Sequence, residues 1–217
     1  MQRRRRILFW ALLLLLARAP EARCGDGFEI DFFLGASKNF NSKLEIAQAG
    51  HPTLDFHAEY DSRSFEQPLY YAVRFAWLFE TSGLELQLVH HKVHLTNPPP
   101  EVANFEVSHG FNLLTLNYVL RALPLDVRFG VGLVAGHTES TVRGLSLSGG
   151  GSVFGEYAIS GPALIAGAGH PFPLLSRLVM IPEVYLSAAR ARLPVADGEA
   201  SLYNVALHVM LGAGVRF

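Results

Sequence analysis

The end of the chain shows a strict alternation of apolar residues with polar or small ones. Between residues 203 and 217 every second residue is apolar, and the residues between them include Asn204, His208 and Arg216. Successive side chains of a β-strand point to opposite faces, so this strand has one apolar face over its whole length. An alternating strand that ends in an aromatic residue is typical of a wall that faces lipid. The pattern therefore predicts an outer-membrane β-barrel.

Similar alternation predicts an all-β fold with eight antiparallel transmembrane strands in up-and-down order. The predicted strands are residues 28–38, 68–79, 84–95, 111–121, 126–138, 157–169, 178–190 and 202–217. Tight connections fall at 80–83, 122–125 and 171–177, and longer ones at 39–67, 96–110, 139–156 and 191–201. This asymmetry matches short periplasmic turns and long extracellular loops. Residues 53–60 alternate again, so they either extend the second strand or form a separate hairpin.

Charged residues within the predicted strands indicate a polar interior. An arginine would cost about 2 to 4 kcal/mol at the bilayer midplane if it faced lipid, so these side chains are expected inside. The residues that this parity turns inward are Arg74, Arg121, Arg128, Arg216, Glu29, Asp31, Glu85 and Glu183. Cations then meet anions in a narrow lumen, which predicts a plugged barrel with no open pore. The network is either structural or a path for protons or ions.

The other end of the chain has the build of a secretory signal. Four consecutive arginines precede an apolar run of eleven residues, 7–17, and small residues follow at Ala19 and Ala22. The run is too short for a spanning helix, which needs roughly 20 apolar residues. We therefore expect residues 1–24 to be a signal, cleaved after Ala22 or Cys24, and residues 25–217 to be the barrel. Without Cys24 neither a disulfide nor a thiol nucleophile is available.

Composition adds expectations about location and partners. Past residue 17 no apolar stretch is long enough for a transmembrane helix, so any membrane span must be built from strands. We expect the outer membrane, with its lipid as a partner and with Phe217 as the signal read by the outer-membrane assembly machinery. A formal net charge of −1 gives no electrostatic reason to expect nucleic acid.

Histidines gather at the predicted extracellular end. Seven of the nine lie there, namely His51, His57, His90, His91, His94, His109 and His137. Histidine is a common metal ligand and a proton shuttle near neutral pH. Together with Glu106 and Glu139, these residues form either a site at the rim or a solvated polar surface.

Three segments carry a family resemblance. They are the run SFEQPLYY at residues 64–71, the strand end HHKV at 90–93 and the segment FEVSHGFNLLTLN at 105–117. They resemble the S-F-E-x-P-x-Y-Y, H-x-K-V and E-F-x-D-G-L-N-L-L-T motifs of the outer-membrane lipid A oxidase family. Further similarity lies at residues 137–139, at 161–163 and at Glu183, so the resemblance covers most of the barrel.

The resemblance implies a reaction and a set of site residues. The family oxidises the proximal glucosamine of lipid A, the lipid anchor of lipopolysaccharide, to an aminogluconate unit with molecular oxygen. The residues at matching positions are Glu66, Tyr70, His90, Lys92, Glu106, Asn112, His137 and Glu139. His109 stands where the family has an aspartate, which adds it to the candidates.

The chain has no dinucleotide-binding glycine motif and no cysteine cluster, so we expect no nucleotide cofactor. A divalent or redox-active metal at the rim is the simplest alternative. We hypothesise that His90, His137 and Glu139 bind it, with Glu106 or His109 completing the set, between the third, fourth and fifth strands. By parity His90 and Lys92 face outward unless a bulge reverses them, and there they could meet lipid phosphates.

Two alternative functions stay open. A lipid A deacylase would use a serine, a histidine and an acidic residue in contact, and Ser108, His109 and Glu106 supply these types. Neighbours on a regular strand, however, point to opposite faces. A small barrel can also bind a ligand or a partner, or stabilise the membrane, without any catalysis.

Overall fold

The computed structural model describes residues 26–122, 124–150 and 156–217, so the predicted signal at residues 1–24 lies outside the described part. The described residues form fourteen strands: β1 (Gly27–Asn39), β2 (Ser42–Gln48), β3 (Leu54–Ala58), β4 (Tyr60–Asp61), β5 (Tyr71–Leu78), β6 (Ser82–Leu95), β7 (Val102–Ala122), β8 (Leu125–Gly136), β9 (Thr138–Val142), β10 (Leu145–Gly149), β11 (Ala158–Gly169), β12 (Phe172–Pro173), β13 (Leu178–Val195) and β14 (Gly198–Arg216). Among these residues no helix has the length and apolar character needed to cross a membrane.

Eight strands pair into a closed antiparallel ring. The order is β1, β5, β6, β7, β8, β11, β13 and β14, and β14 pairs back with β1. Strands that are neighbours along the ring follow one another in the chain, which confirms the predicted up-and-down barrel. The first residues of β1, the last residues of β14 and the connections β5–β6, β7–β8 and β11–β13 lie at one end, the turn end. The connections β1–β5, β6–β7, β8–β11 and β13–β14 lie at the other, the loop end.

The loop end holds more regular structure than predicted. The β2–β3 hairpin pairs with β14, the β9–β10 hairpin pairs with the first part of β7, and β4 pairs with the end of β6. Arg143 joins the two hairpins, because its guanidinium donates to Gln48 Oε1 at 3.2 Å and to the Pro52 carbonyl at 2.7 Å. Of the two alternatives for residues 53–60, the separate hairpin is right for Leu54–Ala58, whereas Tyr60 pairs with β6 in line with the second ring strand.

Three predicted boundaries were wrong. Residues 191–201 were expected to form a long loop, but β13 and β14 continue through them to a tight turn at Ala196 and Asp197. Residues 102–110 are likewise part of β7 rather than a loop. The second ring strand begins at Tyr71 instead of residue 68, because residues 62–70 leave the sheet and fold back, with Ser64 Oγ accepting from the Ser37 amide at 3.0 Å.

The outer wall carries a continuous apolar belt. Exposed side chains from every part of the ring contribute to it, among them Phe32, Trp77, Phe129, Leu164 and Leu186. In water such a belt would far exceed the apolar patches that soluble monomers expose, which are a few hundred Å² at most. The wall therefore matches the lipid-facing surface of a membrane-spanning barrel. On β6 the apolar outward positions end at Leu88, so the residues from His90 onward lie beyond the belt.

Charged residues fill the lumen on the turn-end side, as predicted. Arg74 donates to Glu183 Oε1 at 2.6 Å and lies 3.4 Å from Glu85 Oε2 and 3.6 Å from Asp31 Oδ2. Arg128 reaches Glu183 Oε2 at 2.7 Å and Glu85 Oε2 at 3.2 Å. We call these five residues the charge cluster. Every member is almost completely buried, so each charge depends on its partners rather than on water.

Small residues make room for this packing. A Cβ atom on Gly130 would lie 1.9 Å from Asn117 Oδ1, and the amide of Asn117 donates to Glu85 and Gln87. Below the cluster, Arg216 pairs with Glu29, and Arg121 donates to the Phe79 carbonyl.

The lumen on the loop-end side has the opposite chemistry. It is filled by buried apolar side chains, including Leu44, Ile46, Phe105, Leu193 and Leu202. The predicted charged interior is therefore confirmed for one half of the barrel, and an apolar core closes the other half.

Candidate functional site

A bulge in β7 shapes the outer surface at the loop end. His91 is paired with Phe111 but Val93 is paired with Val107, so β7 holds extra residues opposite Lys92. Gly110, in this bulge, has a φ of 130°, a conformation that residues with a Cβ rarely adopt. The Gly110 carbonyl accepts from the backbone amide of His137 at 3.2 Å, which fixes the bulge against the end of β8.

The bulge brings His109 to His137 and Glu139, and we call these three residues the outer triad. His109 Nδ1 lies 2.5 Å from Glu139 Oε1, and His137 Nε2 lies 3.8 Å from the same oxygen. Each residue offers one donor atom, and the three atoms lie within 4.8 Å of one another. Two imidazoles and one carboxylate are the donor set of mononuclear non-haem iron sites. The residue beside His137 and Glu139 is His109, which the prediction gave as one of two residues that could complete the set, whereas the predicted ligand His90 lies outside this group.

Two further residues support the outer triad, and sequence reasoning did not single them out. The Tyr157 hydroxyl donates to the His109 carbonyl at 2.9 Å, and its ring meets the His137 ring edge-on at 5.6 Å. Glu156 Oε2 lies 3.7 Å from His137 Nδ1. Their only signal in the sequence is their place directly before the segment that resembles the family at 161–163.

The polar surface continues from the outer triad across β7 to β6. Glu106 is the cross-strand partner of Glu139, and Glu106 Oε2 lies 2.6 Å from His94 Nδ1. Burial lowers the pKa of His94, and the nearby Glu106 carboxylate opposes that shift. His94 Nε2 is buried and has no hydrogen-bond partner among the described residues.

His90 lies four residues before His94 on β6, on the outward face that parity predicted for it. Its ring stacks on Tyr71 with centroids 4.9 Å apart, and Nδ1 lies 2.9 Å from Asn112 Oδ1. When Nδ1 carries the proton and donates to Asn112, Nε2 keeps its lone pair, and Nε2 has no partner within the described part of the chain. Asn112 therefore holds His90 in the form of a base.

Lys92 lies beside the segment 62–70. Its ammonium donates to the Glu66 carbonyl at 2.8 Å. Burial lowers the pKa of Lys92, and the Glu66 carboxylate opposes this most strongly. Lys92, His94 and Glu106 thus form one mixed-charge surface next to the outer triad.

Tyr70 lies apart from the other candidates, inside the barrel. Its hydroxyl is 3.1 Å from the Tyr185 hydroxyl and 3.1 Å from His208 Nδ1, and His208 Nε2 lies 2.8 Å from Ser187 Oγ. The structure therefore brings Glu66, His90, Lys92, Glu106, His109, Asn112, His137 and Glu139 to one outer surface and Tyr70 to the lumen.

The bulge also brings Ser108 within 3.4 Å of His109 Nδ1, although neighbours on a regular strand would point apart. Glu139 contacts the same nitrogen at 2.5 Å. A serine hydrolase needs the serine and the acid on opposite nitrogens of the imidazole. The contact therefore does not have the geometry of a Ser-His-Glu relay.

Comparison with known proteins gave structural likenesses only. No protein-family model and no curated protein matches the sequence. The outer membrane protein AlkL in lipid bilayers aligns at 15% identity and a TM-score of 0.48, covering 92% of this chain and 94% of AlkL. OprG from Pseudomonas aeruginosa aligns at 12% identity and 0.44, covering 89% and 97%. Ail, the attachment invasion locus protein of Yersinia pestis, aligns at 14% identity and 0.39, covering 88% and 99%.

Proposed function

We propose that this chain is an outer-membrane enzyme that oxidises the proximal glucosamine of lipid A, with a metal ion bound by the outer triad. The observation that carries the proposal is the convergence of His109, His137 and Glu139 just beyond the apolar belt. A lipid headgroup lies at this height on the outer wall, so a substrate could reach the site without leaving the membrane.

The donor set fits the metal that the proposal requires. Two histidines and a carboxylate leave coordination positions open for other ligands, as in non-haem iron oxygenases. His137 presents Nε2 to Glu139, and Glu156 lies 3.7 Å from Nδ1 on the other side of the ring, where carboxylates commonly support metal-binding histidines. A redox-active metal bound here would carry electrons from the sugar to oxygen.

The reaction takes two electrons from C1 of the proximal sugar, which is a hemiacetal only in lipid A that carries no phosphate at C1, so the proposed substrate is lipid A with a free C1 hydroxyl. Molecular oxygen accepts them with two protons and becomes hydrogen peroxide, and water opens the resulting lactone to the acid. The lipid gains one oxygen atom. In this scheme His90 Nε2 accepts the hydroxyl proton, Asn112 fixes the tautomer of His90, and Lys92 binds a phosphate of the headgroup.

Mass spectrometry of lipid A tests the reaction directly. In cells whose lipid A has a free C1 hydroxyl, lipid A should gain the mass of one oxygen when the wild-type protein is expressed, and the variant His137→Ala should lose that product at least about a hundredfold. His57→Ala is the matched control, because His57 is exposed on the β3 hairpin away from the outer triad and should leave the product unchanged. Unmodified lipid A with the folded wild-type protein would contradict the proposal.

Metal analysis tests the ligands independently of turnover. Purified wild-type protein loaded with Fe²⁺ should retain about one equivalent, and His109→Ala, His137→Ala and Glu139→Ala should each retain much less. The same amount of metal in all four proteins would rule out the outer triad as the site.

In the lipid experiment, loss of an acyl chain would indicate a hydrolase instead of an oxidase, and unchanged lipid A would indicate a non-enzymatic barrel.

A further inference from the structure

The apolar belt has a trough on one side. The trough has a volume of about 690 Å³ and crosses the outer wall over β7, β8, β11 and β13. Its floor is low where small residues face outward, at Ala166 and Ala188, and its rims are the larger side chains of Tyr118, Phe129 and Leu186. The area exposed within it is almost entirely apolar, as hydrocarbon requires.

The trough lies on the membrane side of the outer triad, because β7 carries His109 and β8 ends next to His137. On β7, Leu116 lines it and Asn112 lies four residues nearer the loop end, about 13 Å along a strand at roughly 3.3 Å per residue. On β8, Val131 lines it and lies six residues before His137, which is about 20 Å along the strand and, at a tilt of roughly 40°, about 15 Å in depth. Half of the hydrocarbon core is about 15 Å thick, so the trough lies at the depth that an outer-leaflet acyl chain reaches from a headgroup at the triad.

We propose that this trough holds the distal half of an acyl chain of the glycolipid whose headgroup occupies the outer triad, which rests on the proposed function. The trough then selects among lipid A molecules by the length and position of their acyl chains. Lipid tails are as apolar as leucine, so the preference comes from packing into the recess and not from the hydrophobic effect.

Shape makes Ala166 and Ala188 the deciding residues. Each has larger outward neighbours across the strands, Phe129 and Leu186 for Ala166, and Leu164 and Val205 for Ala188. Phenylalanine at either position would fill the recess and leave the wall apolar. Ala213→Phe is the matched control, because Ala213 also faces outward between strands but lies outside the trough.

Photo-crosslinking in nanodiscs tests the proposal. The probe is lipid A with a diazirine at the end of one acyl chain, and a phospholipid with the same labelled chain is the comparison. We expect the lipid A probe to label peptides that contain Ala166 and Ala188 about tenfold more than peptides around Ala213. The double variant Ala166→Phe/Ala188→Phe should lose this preference, and Ala213→Phe should keep it. Heat-modifiable migration on gels verifies that each variant is folded.

The outcomes separate this inference from the proposed function. Concentrated labelling by lipid A supports the trough even if no oxidised lipid is ever found, because crosslinking needs no turnover. Even labelling around the belt would overturn the inference while leaving the oxidation intact. If the phospholipid probe labelled the trough peptides with the same preference as the lipid A probe, the inference would also be overturned, because the trough would then hold bulk lipid.

Discussion

The two halves of the barrel place apolar and polar side chains on opposite faces, although the same strands run through both. On the turn-end side the outer wall is apolar and the interior holds the charge cluster around Arg74 and Glu183. On the loop-end side the outer wall is polar and the interior holds an apolar core around Leu193 and Leu202. The first half is organised for lipid, and the second is organised as a water-soluble barrel would be.

Strand β13 shows how the change occurs. Glu183 points inward and Val184 outward, yet farther along the strand Leu193 points inward and Arg192 outward. The alternation of side chains continues without a slip in register, and only the chemistry of the two faces is exchanged. The solvent outside the wall therefore decides which face is apolar, while the backbone stays regular.

The charge cluster gives the largest expected effect. Glu183→Ala would leave Arg74 and Arg128 buried without their closest carboxylate, and we expect a loss of about 4 kcal/mol in the free energy of unfolding in detergent. Glu199→Ala is the control, because its pair with Arg192 is exposed and should contribute less than about 1 kcal/mol. If Glu183→Ala had the same midpoint of denaturation as Glu199→Ala, the turn-end half would not depend on these charges.

The apolar core gives the next effect, and it should be local. Leu202→Ala would remove a buried side chain at the loop end, at a cost of about 3 kcal/mol. Hydrogen exchange should show the loss in β2 and β3 but not in the membrane-spanning parts of the strands. Leu211→Ala on the same strand faces lipid and should change little. A loss spread evenly over the barrel would show that the two halves are one cooperative unit.

Metal should stabilise only the loop-end half. At a free Fe²⁺ concentration a hundredfold above its dissociation constant, a site present only in the folded state adds about 2.7 kcal/mol. Amides of β9 near Glu139 should then exchange more slowly, and a chelator should reverse the effect. His137→Ala should abolish the protection, whereas protection of the charge cluster in the same samples would point to nonspecific binding.

The smallest effect is a pH dependence confined to the loop end. Burial lowers the pKa of His94 below its ordinary value of 6.5, so the unfolded segment takes up the proton first as the pH falls. The stability that neutral His94 contributes is complete above about pH 6.5 and decreases below it. Protection factors of amides around His94, which allow for the slower intrinsic exchange at low pH, should fall between pH 7 and pH 5, and His94→Gln should remove that fall. The charges of Glu106, Arg63 and Lys92 also act on His94 and modify the size of the effect.

Sequence predicted the membrane half well because one rule governs it. Arginines and carboxylates cannot face lipid, so the parity of Arg74 or Glu85 fixes the orientation of a whole strand. The same rule failed at residues 191–201, because water on the outside reverses the apolar face and the strand then reads as an irregular segment. Allowing the apolar residues to lie on the inward face as well as on the outward face predicts the extension of β13 and β14.

The candidate site was predictable as a set but not as an arrangement. Histidines and glutamates near the ends of strands indicated a rim site, and the resemblance supplied His137 and Glu139. The choice of His109 over His90 as the third donor depends on the bulge at Gly110, and the pairing pattern of a bulge is not visible in residue types alone. The position of Tyr70 was not predictable either, because the segment before it folds back and turns it into the lumen.

The bond between Arg74 and Glu183 joins residues 109 positions apart, and this distance bears on how the chain enters the membrane. Glu183 meets both of its guanidinium partners only after β13 has arrived beside strands made much earlier. Hairpins inserted one at a time would carry an unneutralised carboxylate into hydrocarbon. Insertion and closure of the ring therefore have to occur together, with the carboxylate kept in water until the last strands meet the first.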